Sequence, residues 1–171
     1  VRCVNTPLFR SPAARNVGCL LDVDPEVTSW SCLPLELRVG GLYHVPDFEV
    51  VCGDTSYLLD ADAAPQWVCE AALSAGSVYR SGAYDLVKLS QRIANARDLL
   101  RYATYFVSLG DKIRLLSLLE EYGSMSISEC ATCFQNTSDP IGSIASMVLR
   151  RIVEINLDDE PIGPDTRISR V

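Results

Sequence analysis

The stretch "LYHVPDFEVVCGDTSYLLDAD", residues 42–62, decides how the first half of the chain is read. Two apolar runs flank a polar tip, Gly53-Asp54-Thr55-Ser56, which is the composition of a β-hairpin. Asp47 lies in the first run; Asp60 and Asp62 lie in the second. Antiparallel strands of this length bring those acids to one end of a sheet. Carboxylates gathered this way can hold Mg2+, a hard cation that takes carboxylate oxygens, water and phosphate. They also occur as water-facing acids on an ordinary hairpin, and spacing alone does not separate the two.

Outward from the hairpin, the pattern is that of an α/β fold. Ser11-Pro12 is a helix start, Ser at the N-cap and Pro at the first helical position, and the spacing predicts a helix over 11–22. Strands are expected near 35–39, 42–51 and 56–61, paired in one sheet, with Pro34 and Pro46 marking edges or bulges. A helix over 65–75 stops at Gly76, and "SVYR" is a further short strand. "AYDLVKLSQRIANARDLLRYATYF" is helical throughout on its apolar spacing. The expected division is therefore an α/β domain over 1–87, then a connecting helix and a helical domain over 88–171.

In that second part, "LGDKIRLLSLLEEYGSM" is an amphipathic helix ending at Gly123. Ser126 and Glu129 have capping-box spacing, and "DPIGSIASMVLRRIVEINLDD" holds a third helix passing into a strand. Three helices followed by a two-stranded ribbon is the order of a winged helix-turn-helix, whose third helix lies nearest DNA.

Charge is divided unevenly. The chain is net −7, with −6 on residues 1–87 and −1 on residues 88–171. Phosphate contact is therefore expected from the second half, where Arg150, Arg151, Arg167 and Arg170 are the DNA-binding candidates. Asp158, Asp159 and Glu160 on the wing oppose a phosphate backbone and suit protein docking instead. The seven cysteines are odd in number and scattered, so reduced thiols, mostly in the core, and a cytoplasmic setting are expected. Cys130 and Cys133 form a C-x-x-C without a second pair, read as two buried thiols on one helix face. No membrane span and no secretory signal are expected. The lone His44 lies near Asp47 and is read first as a packing or surface residue.

"RSPAARNVGCLLDVDPEVTSWSCLPLELRV…YHVPDFEV…YLLDAD" resembles the TnsA-like transposon endonucleases, which belong to the restriction-endonuclease-like superfamily with the PD-(D/E)xK motif. The resemblance runs over roughly residues 9–171. It rests on an early helix, an acid-x-Val turn with a following aromatic, a Pro-containing strand, Pro46-Asp47-Phe48, and an acid at the end of the next strand. It implies a restriction-endonuclease-like N-terminal domain followed by a winged helix. It also implies Asp47 and Asp60 as metal-binding acids for Mg2+. Ala14 stands where the family has a Glu, and Asp62 where it has a Lys.

These two departures set the functional expectation. Without the Lys, and with an extra acid, repulsion among carboxylates should weaken metal binding or leave one acid protonated, and should turn phosphate away. The chain is therefore expected to be a non-catalytic component of a DNA-processing or mobile-element system, acting through a protein partner and DNA contact by its C-terminal domain. Two alternatives stand beside it. One is an active Mg-dependent endonuclease in which Asp47, Asp60 and Asp62 are catalytic. The other is a winged-helix transcriptional regulator that forms a homodimer through its α/β domain.

Overall fold

A computed structural model describes residues 1–82 and 84–171. It is a mixed α/β fold that divides into two compact units, Arg2–Leu89 and Ser90–Val171.

In the N-terminal unit, α1 spans Pro12–Val23, and the Ser11 hydroxyl accepts the Ala14 N–H, as the Ser-Pro start predicts. Five strands and a helix follow: β1 Ser29–Cys32, β2 Leu37–Val39, β3 Leu42–His44, β4 Phe48–Cys52, β5 Thr55–Asp60 and α2 Gln66–Ser74. The last strand, β6 Val78–Ser81, pairs parallel with β5. The main sheet has the order β1-β4-β5-β6. Ala14, Val17 and Leu21 of α1 pack on Trp30, Phe48, Val50, Tyr57 and Leu59. Val68, Ala71 and Ala72 of α2 pack on Leu58 and Leu37. Alternate residues of β5 thus serve different apolar clusters, which is why Tyr57, Leu58 and Leu59 are all buried.

Three expectations are corrected here. Residues 35–39 do not join the main sheet: among the described residues β2 pairs with β3 alone, in a separate two-stranded ribbon. Leu33, at φ 49°, turns the chain out of β1, and Pro34 follows it, so the apolar run of 29–39 cannot continue as one strand. The run 42–51 is likewise broken at Val45-Pro46-Asp47 into β3 and β4. The polar tip is shorter than its composition suggests. Cys52 already pairs with Thr55, leaving Gly53-Asp54 as the turn. With that register, Phe48 faces Leu59, so Asp47 and Asp60 occupy the next opposed positions.

In the C-terminal unit, α3 spans Ser90–Leu100. The helix predicted from Ala83 onward therefore begins at Ser90: Tyr84–Leu89 lie outside it, and Ala83 lies outside the described residues. Next come α4 Leu109–Tyr122, β7 Ser124–Ser126, α5 Ile127–Ala131, α6 Pro140–Leu149, β8 Val153–Ile155 and β9 Arg167–Arg170. The ribbon predicted as two-stranded is a three-stranded sheet, β7-β9-β8. β7 was not legible because it is three residues squeezed between the α4 stop at Gly123 and the α5 cap. The capping box at Ser126 and Glu129 is present in both directions. Cys130 and Cys133 are both buried, but α5 ends at Ala131, so they do not share a helix face. Burial pushes the Cys130 thiol up to about 11, which keeps it protonated and inert at neutral pH. All seven cysteines are free thiols; only Cys32, Cys130 and Cys133 are fully buried, so most lie at the edge of the core rather than within it. Among the described residues, no helix is long and apolar enough to cross a membrane.

Asn95 organises this unit. It is 2% exposed on α3. Its amide donates to the carbonyls of Leu157 and Glu160 at 2.9 and 2.8 Å, and its Oδ1 accepts from Ile162 N–H at 3.1 Å. One side chain thereby satisfies three backbone groups of the loop between β8 and β9 and ties that loop to α3. Asn95→Ala leaves them unpaired, and the expected loss is roughly 2–3 kcal/mol. Urea unfolding checks this as a lower midpoint at unchanged slope, and Asn95→Asp, which turns a carboxylate oxygen onto the Leu157 and Glu160 carbonyls, should cost at least as much as alanine.

Candidate functional site

The acids of the opening hairpin converge. Asp47 lies just before β4 and Asp60 ends β5; they are 7% and 4% exposed. Their placement is reciprocal across the strand pair. The backbone N–H of Asp47 donates to Asp60 Oδ1 at 2.9 Å, and the N–H of Ala61 donates to Asp47 Oδ2 at 3.0 Å. Each carboxylate is thus held by the strand opposite it, independently of other side chains.

Three side chains complete the cluster. Arg10 puts Nε at 2.9 Å and Nη2 at 2.8 Å from Asp47 Oδ1, and the same Nη2 reaches Asp60 Oδ1 at 3.3 Å. His44 Nε2 lies 2.6 Å from Asp60 Oδ2, and its ring stands edge-on to Trp67. Tyr79 of β6 donates its hydroxyl to the same Oδ2. Burial, then the hydrogen bond to Asp60 and that group's charge, push the Tyr79 hydroxyl well above its ordinary range, so it remains the donor. Arg10, Ser11, His44, Asp47, Asp60 and Asp62 are among the residues lining a cavity of about 240 Å3. Asp62 is exposed at this cavity and is absent from the hydrogen-bonded cluster formed by the other two acids.

Arg10 and Tyr79 were not among the sequence candidates. Arg10 belongs to the Phe9-Arg10-Ser11 segment ahead of the α1 cap, where a basic residue before a helix looks like ordinary surface charge. Tyr79 sits in a four-residue strand whose parallel pairing with β5 depends on α2, a tertiary arrangement with no local signature. His44, read as packing, is a partner of Asp60 instead.

Ala14, where the resemblance would imply a Glu, is 1% exposed and packed in the α1 core. A carboxylate there would be buried among apolar groups at a cost of several kcal/mol. This position therefore supplies no further acid, and introducing one would conflict with the core.

Do these residues fit a divalent ion? A hard cation needs carboxylate lone pairs aimed at it. Asp47 Oδ1 accepts twice from Arg10, Asp60 Oδ1 from Arg10 and the Asp47 N–H, and Asp60 Oδ2 from His44 and Tyr79. Asp47 Oδ2 accepts the Ala61 N–H, its single partner among the described residues. The lone pairs are largely committed to the chain's own donors, and a guanidinium lies between the two acids. In this arrangement the donor set does not fit Mg2+.

The four arginine candidates of the C-terminal unit are held by different partners. Arg150 caps α6 and donates Nη1 to Tyr105 O at 3.1 Å. Arg151 follows it at φ 55°, the left-handed position that ends the helix. Arg167 donates to Ser124 O and lies 3.7 Å from Glu129, and Arg170 pairs with Glu120 at 3.4 Å. On the loop before β9, Asp158 pairs with Arg92 at 2.9 Å. Helix α6, "PIGSIASMVL", carries no charged side chain, and Gly142–Met147 are buried without a break. Both α3 and α5 pack against it.

No protein-family model matches the chain, and no curated protein matches it.

Proposed function

We propose that the chain is a non-catalytic, TnsA-like component of a DNA-processing or mobile-element system, working through contacts with a protein partner. The observation that carries this reading is the occupancy of Asp47 and Asp60 by Arg10, His44, Tyr79 and backbone N–H groups. A nuclease site needs those acids free to hold metal against a scissile phosphate. Here they are spent on holding the fold.

Two features of the C-terminal unit support the same view. Its order, α4-β7-α5-α6-β8-β9 with sheet order β7-β9-β8, suits a winged helix. A DNA-reading winged helix needs polar or basic side chains on the third helix to reach base edges. Helix α6 has no basic side chain, and its two serines, Ser143 and Ser146, are fully buried. With Arg150, Arg167 and Arg170 engaged by carbonyls or acids, a protein-docking role suits this unit better than sequence readout.

The rival reading, a live Mg-dependent endonuclease, draws support from the convergence of Asp47 and Asp60 at one strand end. It requires Arg10 to leave. Plasmid incubated with purified protein in ~5 mM Mg2+ or Mn2+, a range that saturates ordinary Mg2+ sites, should remain supercoiled. Nicking or linearisation that vanishes in Asp47→Ala would make the rival correct.

A further inference from the structure

We infer that Arg10 is a built-in counter-cation: its guanidinium holds the place between Asp47 and Asp60 that a small hard cation takes once the arginine is removed. The inference rests on the reading of these acids as a former metal site, and it adds how the site is kept closed.

Two buried carboxylates side by side repel each other, and a positive charge set between them offsets that repulsion. Arg10 supplies it, through two nitrogens on Asp47 Oδ1 and a longer reach to Asp60 Oδ1. Its position is fixed by the segment that carries it. Residues 2–4 run alongside β1, with Trp30 N–H donating to Arg2 O and Val4 N–H donating to Trp30 O. Asn5 donates to Cys32 O and accepts the Cys32 N–H, at 2.8 and 3.0 Å. The Leu8 N–H reaches Cys32 Sγ. Phe9 then packs against Trp30 and Phe48, with ring centroids 6.3 Å from each.

Gly18 of α1 makes room for that ring. A Cβ there would lie 2.7 Å from Phe9 Cε1, inside any tolerable contact. The segment is therefore fastened at Asn5, Leu8 and Phe9, and Arg10 follows directly. Its side chain remains 43% exposed, so it reaches the acids from the open side of the cavity and can be replaced without cutting into the core. The acids do not depend on it for their orientation, because the Asp47 and Ala61 N–H groups hold them from the opposite strands. Removing Arg10 should leave two convergent, uncompensated carboxylates at a cavity open to solvent. Lone pairs on Asp47 Oδ1 and Asp60 Oδ1 then become available together, which is the donor set a hard divalent ion takes.

The probe is Mn2+, read by electron paramagnetic resonance and by thermal melting. The chains compared are wild type, Arg10→Ala, Arg10→Gln and the double variant Arg10→Ala with Asp47→Asn. Wild type should show no saturable Mn2+ site below ~1 mM and no shift in melting temperature, as the arginine competes directly. Arg10→Ala and Arg10→Gln should melt lower than wild type in chelator and rise by at least about 3 °C in ~5 mM Mn2+. The double variant should lose that response. Arg10→Gln guards against a failure of the alanine variant to fold, because it keeps polarity and most of the bulk.

The inference is overturned if folded Arg10→Gln ignores Mn2+, or if wild type binds Mn2+ as tightly as the variants do. Neither result touches the non-catalytic reading, which is decided by whether wild type cuts DNA. Cleavage by wild type would end that reading and leave Arg10 to be judged on binding alone.

Discussion

Asp60→Ala is expected to cost the N-terminal unit about 3–5 kcal/mol, the range for breaking a buried charge network from one side. Asp60 is 4% exposed and gathers donors from four places in the chain: Arg10, His44, the Asp47 N–H and Tyr79. Alanine removes all of those acceptors and fills little of the space. The Asp47 N–H and the Tyr79 hydroxyl both lose the carboxylate that accepts from them. Arg10 keeps Asp47, so the positive charge is not stranded, which places the loss within the range rather than above it. Asp60→Asn is the informative control. It retains an acceptor for the Asp47 N–H but presents an NH2 where His44 or Tyr79 now donates, and roughly half the loss is expected. Urea unfolding of the three chains measures both values. A cost under about 1 kcal/mol for alanine would mean that water replaces the carboxylate, which a 240 Å3 cavity beside it has room to supply.

The turn of the hairpin explains why the site is only half legible in the sequence. A two-residue turn at Gly53-Asp54 forces the register in which Phe48 opposes Leu59, and that register alone puts Asp47 opposite Asp60. The four-residue tip suggested by composition would set Asp47 opposite Asp62, so the pattern brings the acids to one end of the sheet while the tighter turn decides which two meet. Local chemistry is enough for α1, whose Ser11-Pro12 start carries its own cap, and for the Ser126–Glu129 box. Arg10 is 37 residues from Asp47, and Tyr79 is 19 from Asp60. Nothing in either local pattern announces the contact, because both depend on which elements flank the sheet.

The misplaced strands have a different cause. The run 29–39 alternates well enough for a strand, but pairing is decided by backbone hydrogen bonding, not by alternation. Leu33 at positive φ donates its N–H to Asp47 O at 3.0 Å and then departs from the sheet. This bond ties the end of β1 to the residue that carries the first acid. The net −6 of the first half includes the buried acids Asp22, Asp47 and Asp60. The second half is nearly neutral. There the cations are divided among Tyr105, Ser124, Glu129 and Glu120 rather than collected on a face.

Phe48→Ala should lower the stability of the N-terminal unit by about 3–5 kcal/mol, the usual cost of truncating a buried phenylalanine. Phe48 is fully buried, edge-on to Trp30 at 5.6 Å and tilted against Phe9 at 6.3 Å. It follows Asp47, and Phe9 precedes Arg10, so this aromatic contact lies directly beneath the ion pair. Losing it should act twice. The core loses a ring and gains a cavity, and the segment that seats Arg10 loses one of the two aromatic surfaces holding Phe9. For a unit of this size the melting temperature should fall on the order of 20 °C. Phe48→Leu fills most of the volume and should cost about 1–1.5 kcal/mol. The two effects separate in a double-mutant cycle with Arg10→Ala. If Phe48 helps to seat Arg10, the losses are not additive, and the coupling should be about 0.5–1 kcal/mol, the lower part of the range for residues linked through neighbours. Strict additivity would confine Phe48 to the core and leave Asn5 and Leu8 as the anchors of the segment.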